Sequence, residues 1–128
     1  MNVELKNKNT FKQQFKKRCF IFSISILKLS ESLRDKRANW ILLDQVVRSA
    51  TSIGANIVEG GSSTSKKEFI NYFQIALKSS SETLYWLSIL KEMNLTQAET
   101  IDKLIGECIE IKKLISTIIL NTKSNSKF

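Results

Sequence analysis

The chain contains no proline, and this absence restricts what it can fold into more than any other feature of the sequence. Only four of its 128 residues are glycine, so the residues that usually mark tight turns and strand ends are scarce. The hydrophobic content of 42% is enough for a packed core. A single domain made of a few long helices is therefore predicted.

Apolar residues recur every three or four positions in four segments, which is the spacing of helices that pack on other helices. The predicted helices span about residues 10–33, 40–59, 65–93 and 97–120. Their predicted core positions are Phe15, Cys19, Phe22, Ile26, Leu29 and Leu33; Leu42, Val46, Ser49, Ile53 and Ile57; Phe69, Phe73, Ala76, Ser80, Leu84 and Leu87; and Ile101, Leu104, Cys108, Ile111, Ile115 and Ile118. Short connections make consecutive helices antiparallel neighbours, so the predicted fold is all-α, an up-down-up-down four-helix bundle. Residues 1–9 are predicted to be a basic flexible tail, and 121–128 a second flexible tail.

Three local signals mark the predicted helix ends. Gly60 follows the apolar positions of the second helix, where a glycine in the left-handed conformation commonly terminates a helix. Ser65 with Glu68, and Thr96 with Glu99, have the spacing of a capping box. These pairs predict the starts of the third and fourth helices.

The net charge of +8 is concentrated near the start of the chain. The basic residues there are Lys6, Lys8, Lys12, Lys16, Lys17 and Arg18, and Lys66 and Lys67 follow the glycine pair in the middle. Such a distribution suits either solvated tails or an electrostatic surface for RNA or DNA. Both interpretations are open at the level of composition.

The sequence offers little chemistry for catalysis. Histidine is absent, which removes the usual general base and the commonest metal ligand. Cys19 and Cys108 both fall on apolar positions and are predicted to be buried free thiols in a reducing compartment. We therefore expect no catalytic residues, no metal site and no cofactor, and a cytoplasmic, non-membrane protein. A signal peptide over "KKRCFIFSISIL" is the less favoured alternative, because Lys28, Glu31 and Arg34 follow the run without a cleavage pattern.

The stretch "TSIGANIVEGG" has unusually little side-chain bulk for a helix. Its small residues suggest that another helix comes close, although a polar stripe on a helix is often only its solvent-facing side. If a helix does come close, Arg48, Asn56 and Glu59 would need polar partners, because an unsatisfied buried group costs roughly 1–3 kcal/mol. Glu82 in the third helix is a candidate partner for Arg48. The predicted structural polar network is Arg48, Asn56, Glu59 and Glu82.

Two consecutive motifs, "QVVRSATSIGANIVEG" and "SKKEFINYFQIALKSSSETLYWLSIL", carry a resemblance to a known family. Over about residues 42–90 the chain resembles the four-helix bundle proteins also known as 23S rRNA intervening-sequence proteins. It is more distantly similar to the accessory variability protein of diversity-generating retroelements.

The resemblance implies four antiparallel helices that assemble into a homopentameric ring. In such a ring Ile75, Trp86 and Ile89, on a second apolar stripe of the third helix, would form the interface between protomers. The resemblance, the basic termini and the missing histidine together predict a non-enzymatic protein that binds RNA or DNA through its basic surface and termini. The alternative is a scaffolding ring that binds a protein partner and no nucleic acid.

Overall fold

The computed structural model describes the backbone of residues 3–125 and the side chains of residues 10–125. It contains four α-helices: α1 (Val3–Leu33), α2 (Trp40–Gly61), α3 (Lys66–Met93) and α4 (Ala98–Ser124). One-turn 3₁₀ helices precede α2 and α4, at Arg37–Asn39 and Leu95–Gln97. No strand occurs in the described part of the chain, so the predicted all-α class is confirmed.

The first and last helices are longer than predicted. α1 begins at Val3, so most of the predicted tail over residues 1–9 is helical, and α4 continues to Ser124 through part of the predicted tail over 121–128. Glutamate, leucine and lysine in the first segment are good helix formers, and neither segment contains a glycine or proline. Residues 1–2 and 126–128 of the predicted tails lie outside the described residues.

The core follows the predicted apolar positions closely in α1 and less closely elsewhere. All six predicted positions of α1 are buried. In α2, Leu43 is fully buried and Leu42 only partly, and in α4 Ile119 is buried in place of Ile118. Leu42 and Ile118 still pack against the core, so the prediction was displaced by one residue at these two helix ends.

One end of the molecule is held by a pair of buried asparagines. Asn39 donates its side-chain amide to the side-chain oxygen of Asn94 at 3.0 Å, and Asn94 returns the bond at 2.9 Å. The same two amides also donate to the carbonyl oxygens of Leu33 and Leu90, at 3.0 and 2.9 Å. This pair joins the α1–α2 connection to the α3–α4 connection and satisfies the last turns of α1 and α3.

The other end gathers the start of α3, the ends of α2 and α4, and the N-terminal half of α1. Lys66 donates to the carbonyl oxygens of Lys123 and Asn125, at 3.2 and 2.6 Å. Lys16 lies beside Gly61, since a Cβ added to that glycine would be 3.3 Å from its side-chain nitrogen. A lysine placed on the carbonyls of a helix C-terminus compensates the unpaired acceptors there.

One of the two predicted helix caps is present. The Ser65 hydroxyl accepts a hydrogen bond from the backbone N–H of Glu68 at 3.1 Å, so the start of α3 is as predicted. Thr96 was wrongly predicted to cap α4, because it lies within the 3₁₀ turn Leu95–Gln97. α4 begins after Gln97, which makes no side-chain cap.

Gly60 was wrongly predicted to be a left-handed terminator. α2 continues through Gly61, and no glycine in the chain has a positive φ. Gly60 is required by packing instead: a Cβ there would lie 2.9 Å from two ring carbons of Phe73 and 3.1 Å from Cβ of Tyr72. Only a residue without a side chain lets α3 approach α2 this closely.

The four helices are amphipathic rather than apolar throughout. Over the described residues, no helix combines the length and the hydropathy that crossing a bilayer requires.

Gly54 and Gly60 in α2 are expected to respond oppositely to replacement by alanine. At Gly54 an added Cβ would lie 3.5 Å from Cβ of Cys19, an ordinary contact. Gly54→Ala should therefore raise the free energy of unfolding by about 0.5–1 kcal/mol, through helix propensity. Gly60→Ala should lower it by about 1–2 kcal/mol, because overpacking against Phe73 exceeds the propensity gain.

Urea unfolding followed by far-ultraviolet circular dichroism measures both changes, and each variant is the control for the other. Stabilisation by both substitutions would contradict the packing role of Gly60.

Candidate nucleic-acid interface

Four of the predicted nucleic-acid-binding lysines are exposed at the same end of the molecule. Lys12, Lys16 and Lys17 lie on α1, and Lys67 lies in the first turn of α3. None of the four forms an ion pair with any residue from 10 to 125. Lys6 and Lys8 belong to the α1 backbone, but their side chains lie outside the described residues.

The other two predicted residues, Arg18 and Lys66, have structural partners. Arg18 donates from Nε and Nη2 to the two carboxylate oxygens of Glu107, at 2.8 and 2.6 Å. This hydrogen-bonded pair joins α1 to α4 and raises the pKa of Arg18. Lys66 is held on the last carbonyls of α4, as described above. The predicted site therefore divides into four free lysines and two residues that hold helices together.

Positive charge is concentrated at this end, which we call the basic end and define as residues 10–18, 59–68 and 119–125. Two acidic residues, Glu59 and Glu68, lie among its basic ones, which are Lys12, Lys16, Lys17, Arg18, Lys66, Lys67 and Lys123. Arg18 forms an ion pair with Glu107, which lies outside the basic end. A strong positive potential is expected over this surface.

The opposite end of the molecule contains the Asn39–Asn94 pair; we call it the asparagine end and define it as residues 28–44 and 91–103. Its basic and acidic residues are equal in number. Its basic residues Lys28, Arg34, Lys36, Arg37, Lys91 and Lys103 are matched by Glu31, Asp35, Asp44, Glu92, Glu99 and Asp102. Arg34 pairs with Asp44 at 2.8 Å, and Lys91 with Asp102 at 2.9 Å. The net charge of the molecule is therefore distributed unevenly along its long axis.

Part of the predicted polar network lies on the surface between α2 and α3. Arg48 donates to Glu82, and to the side-chain oxygen of Gln45 at 2.6 Å. Trp86 donates its indole N–H to the same carboxylate oxygen of Glu82 at 2.9 Å. The hydrogen bonds from Trp86 and Arg48 both lower the pKa of Glu82, and the bond from Trp86 has the larger effect. The Arg48 side chain is 58% exposed, so this cluster is less buried than expected.

A second set of polar contacts lies along the same two helices. Asn56 donates to the carbonyl and hydroxyl oxygens of Ser52, at 2.8 and 3.1 Å, and the Ser52 and Ser79 hydroxyls are 3.0 Å apart. Deeper in the molecule, Thr83 donates to the Ser49 hydroxyl at 2.9 Å.

Glu59 is exposed and forms no hydrogen bond or ion pair with the other three predicted network members. Ser79, Thr83 and Trp86 were not predicted as members of the polar network. Their positions in the sequence could have indicated them, because Ser79 and Trp86 lie one helical turn from Glu82 and Thr83 is next to it.

The predicted protomer interface is only partly open. Ile75 is 46% exposed, whereas Trp86 and Ile89 are half-buried and Trp86 packs against the core. A row of exposed apolar side chains on the outer face of α1, formed by Phe20, Ile24 and Leu27, was not predicted. Their spacing of four and three residues places them on the side of α1 opposite the core positions.

Both thiols are buried and strongly protonated. Burial raises the pKa of Cys19 and that of Cys108 to about 12 in each case. Cys108 also lies 3.4 Å from the carbonyl oxygen of Ser80, to which it can donate. A thiol in this state is neither a nucleophile nor a metal ligand at neutral pH. Among the residues whose side chains are described, no three acidic or cysteine side chains come close enough to hold a metal ion.

Both thiols should therefore react slowly with Ellman's reagent in the folded protein. A pKa of about 12 instead of 9.0 reduces the thiolate fraction at pH 8 about a thousandfold. Because the shift is upward, the native rate should keep rising with pH beyond 9, whereas the rate in guanidinium should level off there. Absorbance at 412 nm measures both, and rapid labelling of either native thiol at pH 8 would contradict the burial.

Comparison with known proteins agrees with this architecture. The family model of the 23S rRNA-intervening sequence protein matches residues 12–117. A similar solved structure is that of a Bacteroides thetaiotaomicron protein with unknown function from the S23 ribosomal protein family, which is 35% identical. The superposition has a TM-score of 0.77 and covers 82% of this chain and 97% of that one. No curated protein matches the chain. With most of its length matched by the family model, the chain belongs to the 23S rRNA-intervening sequence protein family.

Proposed function

We propose that this protein is a non-enzymatic helical bundle that binds RNA or DNA through its basic end. The observation that carries the proposal is the group of four exposed lysines, Lys12, Lys16, Lys17 and Lys67, without ion-pair partners among the described residues. Lysines in this state exchange small counterions for phosphates at little cost, and the released ions favour binding. Contacts of this kind hold the phosphate backbone and read no bases, so we expect weak sequence preference.

The non-enzymatic part of the proposal rests on the state of the reactive groups. The chain has no histidine, and its two thiols are protonated by burial. Buried free thiols are also typical of a reducing compartment, so we assign the protein to the cytoplasm.

We propose further that the helices alternate in direction and that five protomers close into a ring. Two contacts between α1 and α2 support the alternation: Gly54 lies against Cys19, and Gly61 lies against Lys16. Ile75, Trp86 and Ile89 are assigned to the protomer interface, with exposed Ile75 as the most accessible of the three. A ring would present five basic ends together, which strengthens binding to one long nucleic acid by multivalency.

The exposed row on α1 favours a second candidate function, a scaffold for another protein. Phe20 is a large apolar residue that is 66% exposed within one chain. Exposed apolar rows of this kind commonly mark protein contacts. In this alternative the positive charge serves only solubility.

Replacing Lys12, Lys17 and Lys67 together by glutamine should weaken binding of a fluorescein-labelled single-stranded RNA about tenfold or more at low salt. The plot of log affinity against log salt concentration should also become shallower by about 2 units, for three lost phosphate contacts. Fluorescence anisotropy measures both quantities, with duplex DNA as a second probe.

The matched control replaces Lys28, Lys36 and Lys103 by glutamine, which removes the same charge from exposed sites at the asparagine end. Equal weakening by the two triple variants would refute a localised interface. A wild-type protein that binds neither probe at low salt would refute nucleic-acid binding itself and leave the scaffold.

The ring is expected to have a mass about five times the 14.6 kDa of one chain. Ile75→Lys should shift the mass toward that of the monomer, because a charge would be desolvated in the apolar interface. Leu95→Lys, at an exposed position between α3 and α4, is the control and should leave the mass unchanged. Multi-angle light scattering measures the mass, and a monomeric wild-type chain would refute the ring.

A further inference from the structure

A groove between α3 and α4 lies outside the basic end. It is an open surface groove with a volume of about 520 Å³. Its lining residues are Leu84, Ile109, Lys112, Lys113, Ser116 and Thr117. The two hydrophobic side chains form an apolar wall, and the other four residues present two ammonium groups and two hydroxyls.

The lysines of this groove are not neutralised. Lys112 is half-buried yet forms no ion pair with any residue from 10 to 125. Lys113 approaches Glu110 at 3.7 Å, but both side chains are more than half exposed. A surface pair of this kind contributes little and opens readily. Both ammonium groups are therefore available to an anion.

The two hydroxyls differ in their hydrogen bonding. Thr117 donates to the carbonyl oxygen of Lys113 at 3.0 Å, one turn back along α4. Ser116 is half-buried, and its hydroxyl forms no hydrogen bond with any described residue. The Ser116 hydroxyl can therefore donate a hydrogen bond to a ligand. A phosphate group suits this position, because its oxygens can accept from the hydroxyl and from the neighbouring lysines at once.

The apolar wall points to more than a simple anion. Leu84 packs against the core and Ile109 is 38% exposed, so both present carbon atoms to a ligand. An inorganic phosphate gains nothing from such a wall, because it has no apolar surface. A nucleotide unit has both parts, a phosphate for the lysines and the face of a base or sugar for the hydrocarbon.

The groove lies a short distance along α4 from the basic end. With a rise of 1.5 Å per residue, Lys113 lies about 15 Å along α4 from Lys123. Lys123 marks the helix end that Lys66 holds. A nucleic-acid strand in contact with the lysines of the basic end could therefore reach the groove after only a few nucleotides.

We propose that this α3–α4 groove is a second subsite for single-stranded nucleic acid. Lys112, Lys113 and the Ser116 hydroxyl bind one phosphodiester, and the wall formed by Leu84 and Ile109 contacts the face of the adjacent base. The subsite rests on the proposed function, since it extends the same binding surface along α4. It adds a preference for single strands, because only an unpaired base exposes a face that can lie on the wall.

Two variants test the subsite. Lys112→Gln/Lys113→Gln should weaken single-stranded RNA binding about five- to tenfold, more than the charge-matched control Lys36→Gln/Lys103→Gln. Ile109→Gln leaves the charge unchanged and should weaken RNA binding about threefold, without changing the binding of inorganic tripolyphosphate. Anisotropy competition measures all of these, circular dichroism confirms folding, and a mononucleotide competitor shows whether one unit alone occupies the groove.

The outcomes separate the subsite from the proposed function. The subsite alone would be overturned by two results together. The Lys12, Lys17 and Lys67 variant would lose RNA binding, and the Lys112 and Lys113 variant would bind RNA as well as its control. Equal weakening of RNA and tripolyphosphate by Ile109→Gln would overturn the role of the wall. A change of oligomeric mass in the lysine variant would show that a protomer covers the groove, which also overturns the subsite. Absence of wild-type binding would overturn both proposals.

Discussion

The close approach of α2 and α3 is the constraint on which the rest of the structure depends. The two helices meet through small residues: Gly60 faces the Phe73 ring, Ser49 bonds Thr83, and the Ser52 and Ser79 hydroxyls are in contact. A larger side chain at any of these positions would separate the helices. Hydrogen bonds between hydroxyls satisfy the polar atoms that such small residues bring into the interior, so the helices approach without leaving buried groups unpaired.

This arrangement determines which charged residues are free. Arg18 binds Glu107 and so joins α1 to α4, and Lys66 donates hydrogen bonds to the carbonyl oxygens at the end of α4. The lysines beside them have no such task. Their side chains stay in water, where a positive charge costs little to maintain, and they accumulate at one end because the acidic residues lie elsewhere. The charge asymmetry thus comes mainly from lysines that form no ion pair with another helix.

The sequence was a good guide to the helices and a weaker guide to what lies between them. The apolar period of α1 predicted all six of its core positions, because residues three and four apart share one face of a regular helix. The roles of Gly60, Asn39 and Asn94 could not be read in this way. Each depends on a residue far away in the sequence that only the packed helices bring near. Likewise, the sequence shows which residues are basic. It does not show that Arg18 and Lys66 are bound to α4, because that depends on where α4 lies in the folded chain.

The asparagine pair has a consequence for how this sequence can change in evolution. Asn39 and Asn94 are 55 residues apart, yet each amide satisfies the other in the interior. Losing one would leave the other with an unmet buried hydrogen bond and would also leave the carbonyl oxygen of Leu33 or Leu90 without its donor, and each such buried group costs about 1–3 kcal/mol. Substitutions at these two positions should therefore be inherited together. The two connections of the bundle, although remote in the gene, form one unit of selection.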